Sequence, residues 1–454
     1  MMKKNIFKEF PDLSNCKITI LGLGYVGLPL AVEFAKNSKC IKTGNSINRK
    51  VIGFDINKER INQLKNCFDK TMELDVEDKK YIKLINLTTD IQDIYDSDVF
   101  IVTVPTPIDA SKNPILEPLK SATTTIANAL LKKHQEDLDH KKSIIIYEST
   151  VFPGATEEIC IPIIEQITNL KVDDDFNYGY SPERINPGDK VNKLTSIKKI
   201  TSGNNELTKI WIDQLYSSII EAGTFAVSSI KTAEAAKIIE NTQRDMNIAL
   251  INEFALIFRR MGINTKEVID AASTKWNFIK LFPGLVGGHC IGVDPYYLTY
   301  KSKEVGYLPN LIITARKVND SMGGNIVKEL VKSMVKKSID IFRSNILIMG
   351  FAFKENCPDI RNTGVLNVYN ELIDYECKID IYDPIVDKKE VFQEYGIEIY
   401  DEIPQKKYSG ILIAVGHTCF KEKGIKNIKK YARKNSVILD LKYLFNQKDG
   451  LDFL

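Results

Sequence analysis

A glycine motif near the start of the chain most constrains the fold. A β-rich run at residues 17–22 leads through Gly22-Leu23-Gly24-Tyr25-Val26-Gly27 into a helical pattern. A strand, a G-x-G-x-x-G turn and a helix in this order are typical of a dinucleotide-binding βαβ unit. Such a turn lets the backbone approach a pyrophosphate, and the free N–H groups at the start of the helix favour an anion. The alternative interpretation is a tight turn with a structural function only.

An acidic residue ends the next predicted strand, Val51-Ile-Gly-Phe-Asp55. A carboxylate there can accept hydrogen bonds from both ribose hydroxyls and repels a 2′-phosphate, so Asp55 predicts NAD rather than NADP. Asp55 follows Gly27 by 28 residues, more than the usual spacing of about 20. We attribute the excess to a loop insertion at residues 37–50. Arg60 is a candidate for the adenosine or pyrophosphate end, or else a solvated helix charge.

The alternation of short β-rich runs with amphipathic segments extends over the first 203 residues. The β-rich runs lie at residues 17–22, 50–55, 98–104, 143–148 and 176–180. Such alternation predicts βαβ units that form a parallel sheet covered by helices on both faces.

The remaining chain separates into a helical part and a second α/β part. Residues 230–261 and 308–338 have helical periodicity, with Gly323-Gly324 as an expected weak point, and Asn264 followed by Glu267 predicts a helix N-cap. Further β-rich runs lie at residues 344–350, 378–382, 410–415 and 436–441. We therefore predict an α/β chain with two Rossmann-like doubly wound parallel-sheet domains, at 1–203 and 338–454, joined by a helical central domain at 204–337.

Charge and composition exclude several classes of function. Lys plus Arg is 62 and Asp plus Glu is 59, and a formal net charge of +3 does not suggest nucleic-acid or membrane-surface binding. The apolar runs are shorter than the ~20 residues of a membrane helix, and residues 1–15 lack the apolar core of a secretory signal. The eight cysteines show no CxxC pair and no Cys/His cluster. They predict no metal site and a reducing cytoplasm.

Several separate motifs follow the glycine motif along the chain. They are Val104-Pro105-Thr106-Pro, Glu148-Ser149-Thr150-Val-Phe-Pro-Gly-Ala-Thr, Tyr180-Ser-Pro-Glu183-Arg184, Gly287-Gly-His-Cys290-Ile-Gly-Val-Asp294-Pro-Tyr, and Gly350-Phe-Ala-Phe353-Lys354 with Asp359-Ile-Arg361. Together with the glycine motif, and in this order, they make the chain resemble the UDP-glucose/GDP-mannose dehydrogenase family over residues 15–454. The resemblance implies a four-electron oxidation of a UDP-sugar C6 alcohol to a carboxylate, with two NAD⁺ and no metal. It also implies a homo-oligomer, a dimer or larger, for which the long central helices offer a surface.

Two segments indicate a branch of this family. Glu183-Arg-Ile-Asn-Pro187-Gly188 and Pro283-Gly-Leu-Val-Gly-Gly-His-Cys290 resemble the UDP-N-acetylhexosamine branch, whereas UDP-glucose dehydrogenases typically carry Glu in place of Pro187. The resemblance favours UDP-N-acetylglucosamine as substrate, for the synthesis of a surface polysaccharide. UDP-N-acetylmannosamine, UDP-N-acetylgalactosamine and UDP-glucose remain alternatives, as do a non-catalytic NAD or nucleotide-sugar sensor and a two-electron 3-hydroxyacid dehydrogenase.

The resemblance also assigns catalytic residues. Cys290 is the candidate nucleophile, because a thiol that adds to the aldehyde gives a thiohemiacetal and then a thioester that water hydrolyses; without the motif it would be read as a small core residue. Lys237 and Asn241 are four residues apart, so on a helix they share a face, and they are expected to stabilise the oxyanion and to move a proton. Three other catalytic residues are expected. Asp294 is expected to orient both a water and Lys237, and Thr150 to hold a water. Glu183 is expected to assist hydrolysis of the thioester.

Binding residues follow from the same resemblance. The expected cofactor contacts are Gly22, Leu23, Gly24, Tyr25, Val26, Gly27, Asp55, Arg60, Val104, Pro105, Thr106, Ser149, Thr150 and Arg361. The expected substrate contacts are Glu183, Arg184, Ile185, Lys237, Asn241, Arg244, Gly284, Gly287, Phe353 and Lys354. Lys442 is a further candidate at the uridine end. His289 lies beside Cys290, but in this branch it is part of the motif and not an expected base; His134, His140 and His417 show no ligand spacing.

Overall fold

Two units make up the chain, for which the computed structural model describes residues 7–136, 141–186, 189, 191–446 and 449–453. The first unit is Met1–Ile239 with Tyr296–Lys301, and the second is Glu240–Pro295 with Ser302–Leu454. The boundary falls inside one long helix, so residues 204–337 contribute to both units. The division into three domains stays a prediction.

The first unit contains a six-stranded parallel sheet. Its strands are β1 (Lys17–Leu21), β2 (Lys50–Phe54), β3 (Asn86–Thr88), β4 (Val99–Val102), β5 (Ser143–Tyr147) and β6 (Phe176–Tyr180). Their order is β3-β2-β1-β4-β5-β6, and every pair is parallel. The order reverses between β1 and β4, and ligands of doubly wound sheets bind beyond the carboxyl ends of the strands at such a point. All five predicted strands of this part are confirmed; β3 was missed.

Helices and a small strand pair complete the first unit. The helices are α1 (Gly27–Lys36), α2 (Lys58–Lys65), α3 (Glu117–Gln135), α4 (Ile161–Thr168) and α5 (Glu206–Ser217). The strand β7 (Lys199–Thr201) pairs with β8 (Thr224–Ala226). Short 3₁₀ or π turns lie at Asp78–Leu84, Ile91–Ile94, Thr156–Cys160 and Leu194–Ser196. The sheet is buried on both faces. Val99 and Ile101 of β4 share a core with residues of α1 and α5, while the alternate residues Phe100 and Val102 are also fully buried.

Long helices follow the first sheet. They are α6 (Ile230–Met261), α7 (Thr265–Ala272), α8 (Asp294–Glu304) and α9 (Asn310–Lys336). The limits of α6 are those predicted, and Asn264 caps α7 by accepting a hydrogen bond from Glu267 N. The expected weak point at Gly323-Gly324 is wrong, because α9 continues through it. A Cβ on Gly323 would lie 2.7 Å from Asn367 Cβ, so the glycine is needed for close packing.

The second unit contains the predicted smaller parallel sheet. Its strands are β9 (Asn345–Met349), β10 (Lys378–Tyr382), β11 (Tyr408–Ile413) and β12 (Ala432–Asp440), in the order β10-β9-β11-β12. The helices that accompany this sheet are α10 (Val365–Asp374), α11 (Lys388–Tyr395), α12 (Thr418–Lys423) and α13 (Ile425–Lys429). The predicted fold class, with parallel sheets in the N- and C-terminal parts and a helical central region, is confirmed. Within the described part of the chain, no helix has the length and apolarity needed to cross a membrane.

Candidate active site

The three glycines of the motif have three different surroundings. Gly22 has a φ of +94°, which favours glycine, and a Cβ on Gly27 would lie 1.9 Å from Gly22 O and 2.4 Å from Thr103 Oγ1. Around Gly24, in contrast, no described atom lies within 4 Å of a Cβ position. The packing of the protein itself therefore leaves open the space beside Gly24, at the turn into α1, where a phosphate is expected to bind.

Asp55 and Arg60 hold the same turn from the side of β2. Asp55 Oδ2 accepts a hydrogen bond from Leu23 N at 2.8 Å, and Asp55 Oδ1 accepts one from Asn57 N at 2.8 Å. Each carboxylate oxygen has about two acceptor sites, so Asp55 retains capacity for ribose hydroxyls.

The loop insertion predicted between α1 and β2 is present, since residues 37–49 contain neither helix nor strand.

The alternative interpretation of Arg60 as a solvated charge is wrong. Arg60 Nε donates to Leu23 O at 2.8 Å, and its Nη2 donates to Asp69 Oδ1 at 3.0 Å. Its side chain is only 10% exposed. Arg60 Nη1 is buried and has no hydrogen-bond partner among the described residues. A buried donor of this kind next to the glycine turn fits the anionic group of a dinucleotide.

The ends of β4 and β5 are joined by Ser149. Ser149 is buried, and its hydroxyl donates to Val104 O at 2.8 Å. Thr150 follows it and is half-buried, whereas Pro105 is exposed just beyond β4. The predicted cofactor residues of both loops, Val104, Pro105, Thr106, Ser149 and Thr150, therefore follow neighbouring strands at the edge where Gly22 ends β1.

Glu183 is a buried acid of the first unit, 4% exposed. Its Oε1 accepts a hydrogen bond from Ile185 N, and its Oε2 is buried without a hydrogen-bond partner among the described residues. Arg184 is half-buried and donates to Lys198 O at 2.9 Å. The interpretation of Pro187 and Gly188 as signs of the sugar branch concerns residues that lie outside the described part.

Helix α6 carries Lys237 and Asn241, as predicted. Lys237 is buried at 6% exposure, and Asn241 is half-buried. One turn before Lys237, the fully buried Glu234 accepts hydrogen bonds from Gly154 N at 2.5 Å and Thr156 N at 3.0 Å. Burial raises the pKa of the Glu234 carboxyl to about 7. Sequence reasoning missed Glu234, although its position three residues before Lys237 puts it on the same side of the helix.

The second unit brings Asn241, Cys290 and Asp294 together. Asp294 N donates to Cys290 O at 2.8 Å, and Asn241 Nδ2 donates to Asp294 Oδ2 at 2.6 Å. Asp294 is buried and is the first residue of α8, where an acid is favoured by the helix dipole. The Cys290 side chain is half-buried. Three of the six predicted catalytic residues are thus connected, while Thr150, Glu183 and Lys237 belong to the first unit.

The glycine-rich loop before Cys290 packs against the predicted substrate segment. A Cβ on Gly288, whose φ is +81°, would lie 2.8 Å from the Phe353 ring, and one on Gly287 would lie 2.7 Å from Asn362 O. In both places the protein's own atoms fill the space that the missing side chain leaves. Gly284 N donates to Asn252 Oδ1 at 2.8 Å, which fixes the start of the loop. Contact of Gly284 and Gly287 with substrate stays a prediction.

The remaining predicted binding residues of the second unit are charged. Lys354 Nζ lies 5.5 Å from the centre of the Phe353 ring, Lys442 Nζ lies 2.5 Å from Glu355 Oε1, and Arg244 is exposed on α6. Arg361 pairs with Asp359 through two of its nitrogens.

His289 belongs to the same neighbourhood as Asp359. Burial would raise the pKa of Asp359, but hydrogen bonds from Arg361 outweigh burial and hold this pKa below its usual range. His289 Nδ1 lies 3.6 Å from Asp359 Oδ2, and its ring meets the Phe353 ring edge-on. These contacts pack His289 against the segment that carries Phe353 and Asp359; that His289 is not a base stays a prediction.

Models of a known family match three parts of the chain. The NAD binding domain of the UDP-glucose/GDP-mannose dehydrogenase family matches residues 16–220, its central domain residues 231–321, and its UDP binding domain residues 347–447. The chain belongs to this family. The predictions of the family, of a dehydrogenase and of NAD as cofactor are confirmed, and the glycine turn with Asp55 and Arg60 fits that cofactor.

Relatives of this dehydrogenase cover nearly its whole length. It is 49% identical to a UDP-N-acetyl-D-glucosamine 6-dehydrogenase of Salmonella typhi, over 95% of this chain and 97% of the relative. It is also 49% identical to the Pseudomonas aeruginosa protein of that name, over 96% and 98%. A solved UDP-D-ManNAc dehydrogenase from Pyrococcus horikoshii superimposes with a TM-score of 0.82 at 28% identity, over 96% of this chain and 98% of that one.

Proposed function

We propose that this dehydrogenase oxidises the C6 alcohol of a UDP-N-acetylhexosamine to the carboxylate, with UDP-N-acetylglucosamine as the preferred substrate. The observation that carries the reaction is the hydrogen-bonded set of Asn241, Cys290 and Asp294. The choice of sugar is supported by the 49% identity to UDP-N-acetyl-D-glucosamine 6-dehydrogenases.

The first oxidation removes a proton from the C6 oxygen and a hydride from C6, and bound NAD⁺ supplies the hydride acceptor. In this proposal Lys237 accepts the proton, and Asn241 donates a hydrogen bond to the oxygen on which negative charge develops. A side-chain amide has two N–H donors. Since Asn241 uses one of them for Asp294, the other is available for the substrate, and Asp294 fixes the orientation of the amide.

The second oxidation uses Cys290. Its thiolate adds to C6 of the aldehyde: a C–S bond forms, the π bond of the carbonyl breaks, and the oxygen takes the proton that Lys237 accepted, which gives a thiohemiacetal. Loss of the hydroxyl proton and of a hydride from C6, for which a second NAD⁺ would be the acceptor, gives a thioester. Water held by Thr150 then attacks the carbonyl carbon, the C–S bond breaks, and Glu183 accepts a proton from the water. Arg244, Phe353, Lys354 and the loop that contains Gly284 and Gly287 are proposed to bind the UDP-sugar.

Replacement of Asp55 tests the cofactor site. Asp55→Asn is expected to weaken NAD binding about tenfold or more, since hydrogen bonds to a charged group contribute roughly 1.5–3 kcal/mol each, and to reduce discrimination against NADP. Titration of NAD and NADP measures both effects. Asp90→Asn is a matched control, because Asp90 also accepts a backbone N–H, from Gln92, just after a strand of the same sheet. A wild-type preference for NADP would contradict this assignment.

A panel of UDP-sugars tests the substrate. We expect kcat/KM to be highest for UDP-N-acetylglucosamine and lower for UDP-glucose, UDP-N-acetylmannosamine and UDP-N-acetylgalactosamine. The assay is the initial rate of NADH formation at subsaturating sugar. An equal or higher kcat/KM for UDP-glucose would overturn the choice of branch while leaving the family unaffected.

We further propose that this dehydrogenase is a cytoplasmic homo-oligomer, a dimer or larger, that serves the synthesis of a surface polysaccharide. Support for an oligomer comes from a row of exposed apolar side chains at helical spacing on α6, namely Leu250, Phe254, Ile257 and Met261. Support for a reducing compartment comes from the eight cysteines, between which the described part of the structure records no disulfide. A monomeric mass by sedimentation would contradict the oligomer.

A further inference from the structure

A buried lysine of the first unit, Lys199, connects two segments that carry predicted catalytic residues. It lies at the start of β7 and is 3% exposed. Its Nζ donates to Glu148 Oε2 at 2.6 Å and to Pro182 O at 3.2 Å, and it lies 3.7 Å from Glu183 Oε2. Glu148 is two residues before Thr150, and Pro182 directly precedes Glu183. One ammonium group therefore holds both segments.

The charges around Lys199 are all buried. Glu148 is 1% exposed and Glu183 is 4% exposed. Glu148 Oε1 accepts a hydrogen bond from the Tyr216 hydroxyl, and the Tyr216 ring centre lies 5.2 Å from Lys199 Nζ. Burial raises the pKa of Glu148, and the neighbouring Glu183 carboxylate adds to this effect while Lys199 opposes it. A buried carboxylate without a cation is costly, so loss of Lys199 would leave Glu148 without the cation that opposes the effect of burial.

The two oxygens of Glu183 have different surroundings. Oε1 is held by Ile185 N–H, while Oε2 is buried, faces Lys199 at 3.7 Å and has no hydrogen-bond partner among the described residues. A carboxylate that is fixed through one oxygen, lies near a cation and has an open acceptor is suited to take a proton from water. Glu148 and the Tyr216 ring also contact Lys199, and these contacts fix its ammonium group.

We propose that Lys199 is a positioning residue for hydrolysis of the thioester: its ammonium group fixes the position of the Glu183 carboxylate. This inference rests on the proposed function, in which Glu183 accepts the proton of the attacking water. The water oxygen forms a C–O bond with the carbonyl carbon, and the C–S bond to Cys290 breaks. One proton of the water passes to Glu183 and then to solvent, and the other protonates the departing thiolate. Neither oxidation requires Lys199.

The variant Lys199→Met separates hydrolysis from the oxidations. We expect both hydride transfers to proceed at near wild-type rates and hydrolysis to be slower by about 10²-fold or more, the usual contribution of a general base. The acyl group should then accumulate on Cys290. In single turnover, with enzyme and NAD⁺ in excess over UDP-N-acetylglucosamine, NADH absorbance measures the oxidations. Intact mass after acid quenching measures the acyl-enzyme. Lys199→Arg keeps the cation and should restore much of the hydrolysis rate.

Lys133→Met is the matched control. Lys133 is a second buried lysine of the first unit, 5% exposed, and donates to Ser97 O at 3.0 Å and to Ser143 Oγ at 3.3 Å. These partners lie at the amino ends of β4 and β5, opposite to the predicted site. Lys133→Met should lower the melting temperature without accumulation of acyl-enzyme.

If Lys199→Met does not fold, the double variant Lys199→Met/Glu148→Gln replaces it. This variant removes the charge of Glu148, which would otherwise be buried without its cation, and it should accumulate the acyl-enzyme that is expected for Lys199→Met.

Two results distinguish failure of this inference from failure of the proposed function. If wild type releases two NADH per sugar and Lys199→Met hydrolyses the thioester at the wild-type rate, or slows every step equally, the function of Lys199 is refuted and the proposed reaction stands. If wild type itself gives neither two NADH nor, after rapid quenching, a transient adduct on Cys290, the proposed reaction fails.

Discussion

Cys290→Ser should fold and should lose steady production of the uronic acid. The change in volume is small, but a hydroxyl is a far weaker nucleophile than a thiolate near neutral pH. Steady turnover should fall on the order of 10³-fold or more, since removal of a catalytic nucleophile can cost up to about 10⁶. Residual product should stop at the aldehyde or at a slowly hydrolysed ester. The measurement is NADH released per UDP-sugar in single turnover, combined with the intact mass of the protein.

Cys419→Ser is the matched control for that experiment. Cys419 is, like Cys290, a half-buried cysteine of the second unit, and its replacement should leave the stoichiometry of NADH unchanged. If Cys290→Ser still released two NADH per sugar at nearly the wild-type rate, Cys290 would have no part in the reaction. A route through the hydrated aldehyde would then be required.

Lys237→Ala should slow both oxidations without changing the covalent route. Loss of a general base lowers the rate of the chemical step about 10²–10⁴-fold, and loss of an oxyanion-stabilising group lowers it about 10²–10³-fold. We therefore expect kcat to fall on the order of 10²–10³-fold or more, with a smaller change in KM. Stopped-flow NADH absorbance measures the two hydride transfers, and after long incubation the yield should still reach two NADH per UDP-sugar.

Lys231→Ala provides the control on the same helix. Lys231 lies in the first turn of α6, and its side chain is 54% exposed near Glu157 and Glu158. Its replacement should change kcat little, because the exposed ion pairs contribute little energy. Equal effects of the two alanine variants would show that Lys237 acts only through the stability of α6.

The sequence predicted the strands well because buried parallel strands appear as short apolar runs. The run at β6 matches the observed Phe176–Tyr180, and α6 matches its predicted limits. The missed strand β3 has only three residues, which is too short for a period to be recognised. The glycines before Cys290 are visible as part of a sequence motif. No local pattern indicates, however, that Phe353, far along the chain, fills the space beside Gly288.

Buried charges were the largest omission. Lys199 stands in Ile197-Lys198-Lys199-Ile200, which reads as a partly exposed strand, and Glu234 reads as a surface acid of an amphipathic helix. Both are buried, because tertiary contacts with Glu148 and with the Gly154 backbone stabilise them. The resemblance to the family supplied Cys290 and Asp294 as candidates, but the hydrogen bond that links Asp294 to Asn241 depends on the folded structure.

The stoichiometry of NADH against UDP-N-acetylglucosamine tests the central claim most directly. With limiting sugar and excess NAD⁺, wild-type protein should release two NADH per sugar and form one carboxylate, because the thiohemiacetal on Cys290 permits the second oxidation. Release of a single NADH with accumulation of a free aldehyde or ketone would contradict a four-electron oxidation, and no release with any UDP-sugar would indicate a binding protein instead of an enzyme.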